Sequence, residues 1–484
     1  MKQKRQLLIL ALIIIVSSGL NFSMLTRGQP WWDDFASYLM QAQAILKGDL
    51  QGFILHNTFS IANSSYPPGP VAYPWGYPLL LAPLVALFGL NTLVLKLLNV
   101  AFFAVFLASF YFLARTRLNA QPSLLLTALL AANPALLRAS DQLISDIPFL
   151  AVSTLSLLLI ETWGQKTSGW KTGLALGVSL FGACLLRTNG LLLLAPLAVS
   201  LTAHHWPDWK SALRRAWLPG LTLSGLFALS AWIFPNGQTS YLNHFSMLTV
   251  PRLLENALFY LWLPAGTFEG LPAASLYYPL LACFAILNLI NHWKRDLALH
   301  TYSLLSLMLF ITWPERQGLR FIYPLIPLLF LFAGNGLHLA LRRVPAAWQW
   351  HASRSLIAAS ALLLLISLGI SASIASQNLA DARAINGPFD TVSYDLYEFI
   401  RTQTPAESII IFMRPRALRL FTQRDSFLTT RCADLPKGDY VALHEKMAAN
   451  NQIAPDQIAA CPGIHLEMVF NNKRFSVYRI HPQP

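Results

Sequence analysis

Apolar runs separated by short polar clusters fill the first 376 positions of the chain, and beyond Ser376 the hydrophobicity falls to the pattern of a small soluble unit. At about 20 residues per crossing, spans are predicted near residues 92–114, 122–140, 143–161, 213–233, 272–291, 297–313, 321–341 and 355–376. The opening MKQKRQLLILALIIIVSSGL is a basic end followed by an apolar run. No A-x-A cleavage site follows it, so a first membrane helix is expected rather than a signal peptide. Residues 172–203 read as two short spans that meet at Arg187, Asn189 and Gly190. The predicted fold is therefore a polytopic α-helical membrane protein of about 11 transmembrane helices, N-terminus inside and C-terminus outside.

Two stretches depart from that pattern. Pro78–Leu90 is apolar but too short to span, and is expected to be interfacial or re-entrant. Outer loop 1, residues 24–77, is long, aromatic and proline-rich where most connections are short, which marks it as functional. After Ser376, residues 377–484 are predicted to form a small α/β domain outside the membrane. A helix through VSYDLYEFIRTQ, capped by Asp390 or Thr391, leads to a strand at SIIIFM, a short helix at ALRLFTQ and a strand at DYVALH. LEMVF and RFSVYRI form a hairpin around Asn471 and Asn472. The domain holds no phosphate-binding glycine loop and no nucleophile with a nearby base.

Composition agrees: 55% of the 484 residues are hydrophobic, 12% are charged, and the mean hydropathy is +0.47. The net charge of +13 suggests nucleic acid only until it is located. Residues 1–376 carry 23 Lys and Arg against 11 Asp and Glu, whereas the terminal segment carries 12 against 11. Fifteen of those 23 fall in predicted inner connections: Lys2–Arg5, Arg115–Arg117, Lys166–Lys171, Lys210–Arg215, Lys294–Arg295 and Arg342–Arg354. That is the positive-inside pattern, so the basic excess belongs to the membrane part and no nucleic-acid partner is expected. Eight acids (Asp33, Asp34, Asp49, Asp141, Asp146, Glu255, Glu269 and Glu315) fall outside, against three inside. Any chemistry faces outward. Cys184 and Cys283 read as packing residues, while Cys432 and Cys461 share the outer segment, where a bridge and two free thiols are both open.

Candidate chemistry concentrates on the outer side. Asp33 and Asp34 open a predicted helix, DDFASYLMQAQAILKG, directly after Trp31 and Trp32. One of them is expected to cap the helix, leaving the other able to act as a general base. Downstream, YPPGPVAYPWGYP, with Tyr66 and Trp75, suits either stacking on a sugar or an interfacial aromatic belt. Asp141 and Asp146 lie at the outer ends of two spans, where an ionisable group needs a partner or a task. Arg187 and Arg320 suit a phosphate held by bidentate hydrogen bonds, or an internal salt bridge to Asp141, Asp146 or Glu315. His56, His204, His205, His244 and His292 show no metal-ligand spacing.

Taken together these segments resemble the C-type (GT-C) glycosyltransferases, the polytopic superfamily of protein O-mannosyltransferases and the aminoarabinose transferases that modify lipid A. The resemblance extends over most of residues 1–376. It rests on Asp34, Tyr38, Ala42 and Gly48 after Trp32, on YPPGPVAYPWGYPLLLAP, and on SDIPFL with Asp146, LLRTNG with Arg187 and LRFIYPLIPLL with Arg320. It implies a catalytic base at Asp34, with Asp33 as neighbour or substitute, and donor-phosphate contacts at Arg187 and Arg320. Asp146 would lie beside the reaction centre, with Tyr38, Tyr66 and Trp75 binding substrate. Many members show Asp followed by Glu at the loop-1 motif, whereas here Asp is followed by Asp.

The implied reaction moves a sugar, with inversion, from a polyprenyl-phosphate donor to a lipid, glycan or protein acceptor at the outer face of a bacterial cytoplasmic (inner) membrane. No cofactor is required, and a divalent metal is optional. A lipid-linked sugar flippase or transporter is the alternative; repeated halves with broken helices, its usual mark, are not visible in the sequence.

Overall fold

The computed structural model describes residues 2–66, 68–164, 169–235, 248–447 and 451–482; Lys166 and His244 lie outside them. Among the described residues seven helices are long and apolar enough to cross a membrane: Gln3–Met24, Thr92–Arg115, Asp146–Trp163, Trp209–Ile233, Ala274–His292, Leu319–Arg343 and Ala346–Ala380. The other four predicted spans coincide with the shorter helices Ala120–Ala131, Trp170–Leu186, Leu194–His205 and Leu297–Thr312. Seven of the predicted spans are thus matched by helices of spanning length, and the helices at the other four are too short by themselves to cross a hydrocarbon core of about 30 Å, so the count of about 11 transmembrane helices is met only in part.

Local chemistry shortens two of them. Helix Ala120–Ala131 stops before Asn133, whose side chain accepts from the N–H groups of Ala135 and Leu136 and starts a separate turn, Pro134–Ala139. Trp170–Leu186 ends at Arg187, whose φ of −153° and ψ of 139° leave the helix before the 3₁₀ turn Thr188–Leu193. A Cβ on Gly190 would sit 2.5 Å from the backbone of Ala183 and Cys184, so the turn folds back tightly on the helix it has left. Helix Gly76–Phe88 has 13 residues and is shorter than a span, in keeping with the expected short apolar element.

Outer loop 1 is itself helical. Asp34–Lys47 ends at Gly48, whose φ of 70° is the left-handed conformation that glycine adopts without cost. Leu50–Asn63 follows, a helix not anticipated from the sequence, with Asp49 accepting from the Gly52 N–H at 3.0 Å as its cap. Between the membrane helices the largest apolar cluster contains Phe35, Tyr38 and Leu39 of the first loop helix together with Phe103, Phe106, Ile147 and Leu150. The loop is therefore seated on the helical bundle.

The terminal segment forms a five-stranded sheet in the order β2-β1-β3-β5-β4, with β1 Ile409–Phe412, β2 Asp425–Phe427, β3 Tyr440–His444, β4 Ile464–Asn471 and β5 Phe475–Pro482. Strands β1, β2 and β3 pair in parallel, and β5 pairs antiparallel with both β3 and β4. The three-residue β2 is too short to leave an alternating pattern in the sequence. Asp390 caps helix Thr391–Gln403 through the Ser393 N–H at 2.9 Å. Cys432 and Cys461 form a disulfide. The last membrane helix runs on to Ala380, four positions past the expected boundary.

A buried ion pair ties the entrance of loop 1 to the bundle. Lys96, with no solvent exposure, donates to Asp141 Oδ1 at 2.8 Å and to the carbonyls of Thr26 and Gly28 at 3.0 and 2.5 Å. Asp141 also accepts from the backbone and hydroxyl of Thr26, at 2.7 and 2.8 Å. Removing one member of such a pair leaves the other charged and unmatched, at a cost of about 3 kcal/mol. Lys96→Met is therefore expected to lower the melting temperature in detergent, and Lys96→Met/Asp141→Asn to recover part of the loss.

Candidate active site

Four charged side chains from separate segments converge at one end of the helices. Asp34 is the first residue of its helix and Asp146 the first of Asp146–Trp163, so both carboxylates lie where the helix dipole favours negative charge. Arg187 comes from the helix break and Arg320 from the 3₁₀ turn Leu319–Leu325 that leads into helix Ile326–Arg343. Arg320 Nη2 donates to Asp34 Oδ2 at 2.7 Å, and Arg187 Nη1 to Asp146 Oδ1 at 2.5 Å. Arg320 Nε stands 3.8 Å from Asp146 Oδ2, too far for a hydrogen bond, and these two buried atoms make none. The side chains of Asp34, Arg187 and Arg320 keep 17–19% exposure, whereas Asp146 keeps 2%. Asp34 and both arginines are thus open to a ligand, and Asp146 lies behind them.

Aromatic groups frame the cluster. The Trp32 ring lies 5.9 Å from the Arg320 guanidinium and the Phe321 ring 5.7 Å from that of Arg187. Tyr73 donates to Asp34 Oδ1 at 2.7 Å, so both carboxylate oxygens of Asp34 are hydrogen-bonded. Burial raises the Asp34 carboxyl, but the Arg320 guanidinium and the Tyr73 hydroxyl outweigh it and hold the group below the ordinary carboxylate value. Burial, then the neighbouring Asp34, raises the Tyr73 phenol well above its usual value and keeps it a donor. Tyr38, also raised chiefly by burial, shares a hydrogen bond of 2.9 Å with Ser145, the residue before Asp146.

Asp33 does something else. It makes no side-chain cap for its own helix, contrary to the expectation that one of the two aspartates would. Its Oδ1 instead accepts, at 3.4 Å, from the Ala417 N–H in the first turn of helix Pro415–Thr422 in the terminal segment. Burial pushes its carboxyl up to about 6, against the pull of Arg416, Arg414 and the Ala417 N–H. The two adjacent aspartates thus face different partners, and Asp34 alone belongs to the arginine cluster.

The remaining candidates lie elsewhere. Trp75 is buried, stacked on Phe234 at 5.2 Å with its indole N–H on the Pro235 carbonyl at 3.3 Å. Packing, not access to the charged cluster, governs that ring. Tyr66 is exposed and donates to Glu315. Asp141 is taken by Lys96, Glu255 by Arg316 at 2.7 Å, and His56 by Asp425 at 2.9 Å. Among the described residues no three His, Cys, Asp or Glu side chains group as a metal site. Sequence reasoning did not single out Tyr73, Lys96 or Arg416. Tyr73 stands inside the aromatic motif, whereas neither lysine nor arginine carries any local signal.

Residues 72–234 match the model of the dolichyl-phosphate-mannose-protein mannosyltransferase family, a region that includes Asp146 and Arg187 but neither Asp34 nor Arg320. No curated protein matches the chain in sequence. Among solved structures it is similar to ArnT from Cupriavidus metallidurans bound to undecaprenyl phosphate, at 13% identity and a TM-score of 0.62, over 97% of both chains. It is similar to the oligosaccharyltransferase AglB from Archaeoglobus fulgidus in complex with an inhibitory peptide and a dolichol-phosphate, at 12% identity and a TM-score of 0.55, over 92% of this chain and 70% of that one. The arabinofuranosyltransferase AftD from Mycobacteria matches at 13% identity and a TM-score of 0.52, over 98% of this chain and 40% of that one.

The raised Asp33 makes the contact between loop 1 and the terminal segment pH-dependent. Its folded value of about 6 exceeds the ordinary 3.8, so its contribution is fully present below about pH 4 and is lost as pH rises through about 6. The difference is worth about 3 kcal/mol. Asp33→Asn is expected to remove this slope, so that its melting temperature gains on the parent's between pH 4 and 7. By its fold, over nearly the whole length, and by the family model over residues 72–234, the chain resembles the C-type glycosyltransferase superfamily.

Proposed function

We propose that the chain is an inverting glycosyltransferase that moves a sugar from a polyprenyl-phosphate donor to a lipid, glycan or protein acceptor at the outer face of a bacterial cytoplasmic membrane. The observation that carries the reading is the cluster of Asp34, Arg320, Asp146 and Arg187, gathered from four segments at helix ends, in a fold shared with a protein solved bound to undecaprenyl phosphate. The inner bias of Lys and Arg supports the orientation, with the terminal domain outside.

In this reading the donor's tail lies among the apolar helices and its phosphate competes with the carboxylates for the two guanidinium forks. A phosphate oxygen offers Arg187 and Arg320 the same charge-assisted hydrogen bonds that Asp146 and Asp34 supply without it. Drawing Arg320 away from Asp34 leaves that carboxylate with less to hold it ionised, and so a better base. Asp34 then takes the proton of the acceptor O–H or N–H while the acceptor atom attacks the anomeric carbon. The bond from that carbon to the phosphate oxygen breaks, its electron pair stays on the lipid phosphate, and the arginines stabilise the added charge. A single displacement inverts the anomeric centre. Tyr73 and Tyr38 frame the base, and Trp32 lies beside Arg320 where a sugar ring can stack.

Transfer of labelled sugar from a panel of polyprenyl-phosphate donors by the purified chain tests this. Asp34→Asn is expected to lower kcat by about 100-fold or more with the fold retained, and Arg187→Ala to raise the KM for the donor as well. Unchanged transfer in Asp34→Asn would remove the base from Asp34. Silence across the panel, with well-folded protein that moves lipid-linked sugar between leaflets, would replace the enzyme by a flippase.

A further inference from the structure

The terminal segment carries the largest fully buried side chain among the described residues, Arg416, at 1% exposure. A guanidinium taken out of water needs its donors matched, and loop 1 accepts from each of the three nitrogens of Arg416. Nε donates to Asn57 Oδ1 at 3.1 Å, Nη1 to the Pro68 carbonyl at 3.3 Å, and Nη2 to the Pro70 carbonyl. A Pro-Gly-Pro segment makes no regular backbone pairing, so its carbonyls are free to accept. Gly69 between them has a φ of 138°, and a Cβ there would lie 2.8 Å from the Tyr73 hydroxyl and 2.9 Å from Arg416 Nη1. The guanidinium also sits 5.7 Å from the centre of the Tyr73 ring.

Tyr73 is thereby held on three sides. Gln41 of the first loop helix takes its backbone, donating to its carbonyl at 2.8 Å and accepting from its N–H at 3.2 Å. Arg416 covers the ring, and the hydroxyl is left aimed at Asp34 Oδ1 at 2.7 Å. We infer that Arg416, supplied by the terminal domain, is a positioning residue for Asp34 and acts through Tyr73, so that the terminal domain completes the site and does not merely cover it. The inference rests on the reading of Asp34 as the base.

The experiment is a double-mutant cycle on the full chain, with Arg416→Lys, Tyr73→Phe and the two combined. Lysine keeps the charge near Asp34 and removes only the three-way fork. Two readouts are taken: infrared titration of the Asp34 carboxylate, identified by its absence in Asp34→Asn, and the pH dependence of sugar transfer. Each single variant is expected to raise the Asp34 midpoint, because a donor to the charged form is lost or displaced. Each is also expected to lower kcat by about tenfold, the worth of one hydrogen bond, with the donor KM changed less than kcat. The combined variant is expected to match Tyr73→Phe alone.

Additive losses, or an unmoved Asp34 titration in Arg416→Lys, would overturn the inference and leave Arg416 a structural residue. A parent chain without transferase activity would overturn the assigned reaction, while the infrared cycle would still decide whether Arg416 acts on Asp34. Gly69→Ala, a wedge between Tyr73 and Arg416 in a half-buried loop, is expected to reproduce the Arg416→Lys signature if that variant does not fold.

Discussion

A charge held between membrane helices must find an opposite charge, and the half of this molecule that carries loop 1 is organised by that requirement. The ion pair of Asp34 with Arg320 joins residues 286 positions apart, and that of Arg187 with Asp146 joins two helices that follow each other in the bundle. Together they tie loop 1, the break after Trp170–Leu186, the start of Asp146–Trp163 and the entry to Ile326–Arg343 into one cluster. Two carboxylates meet two guanidinium groups there, so the formal charges balance, while Arg320 Nε and Asp146 Oδ2 are left without a hydrogen bond among the described residues. In the proposed reaction an anionic lipid phosphate would disturb that balance, because it would offer the arginines an alternative partner and release a carboxylate. Asp34 and both arginines are partly exposed, as that exchange would require.

A second layer of contacts fixes loop 1 from above. Trp31 inserts its ring among Phe412, His444 and Phe475 of the terminal sheet, at 5.8, 6.4 and 5.9 Å, and its carbonyl accepts from Arg414 at 2.8 Å. Ser65 and Leu428 share a backbone hydrogen bond of 2.9 Å, and Arg419 and His56 both reach Asp425. Asp33 and Arg416 belong to this layer, so the two adjacent aspartates take different partners: one meets the terminal domain and the other the arginine cluster. Such division follows from the helical start at Asp34, which sends consecutive side chains in different directions.

Several elements were legible before the structure. Apolar length and the bias of basic residues marked the helices, because burial in lipid demands long uninterrupted apolar stretches. The break at Arg187 was readable, since a charge followed by Asn-Gly interrupts such a stretch. The helix, strands and hairpin of the terminal segment followed from caps, alternation and the Asn471–Asn472 turn. The helix Leu50–Asn63 and strand β2 were not readable, one lacking a clean periodic face and the other having only three residues. Trp75 shows the limit for side chains: its aromatic motif fits stacking on a ligand and burial equally well, and only packing against Phe53 and Phe234 distinguishes them.

By itself the sequence determined which charges lie in or near the apolar spans, and that Asp146, Arg187 and Arg320 need a partner or a task. Those are properties of composition and of neighbours a few positions away. The tertiary structure decided who pairs with whom: Arg320 with Asp34, Lys96 with Asp141, and Arg416 with the prolines of loop 1. Pairing across hundreds of residues depends on how helices pack against one another, and helical periodicity states only which face is apolar, not which neighbour it meets.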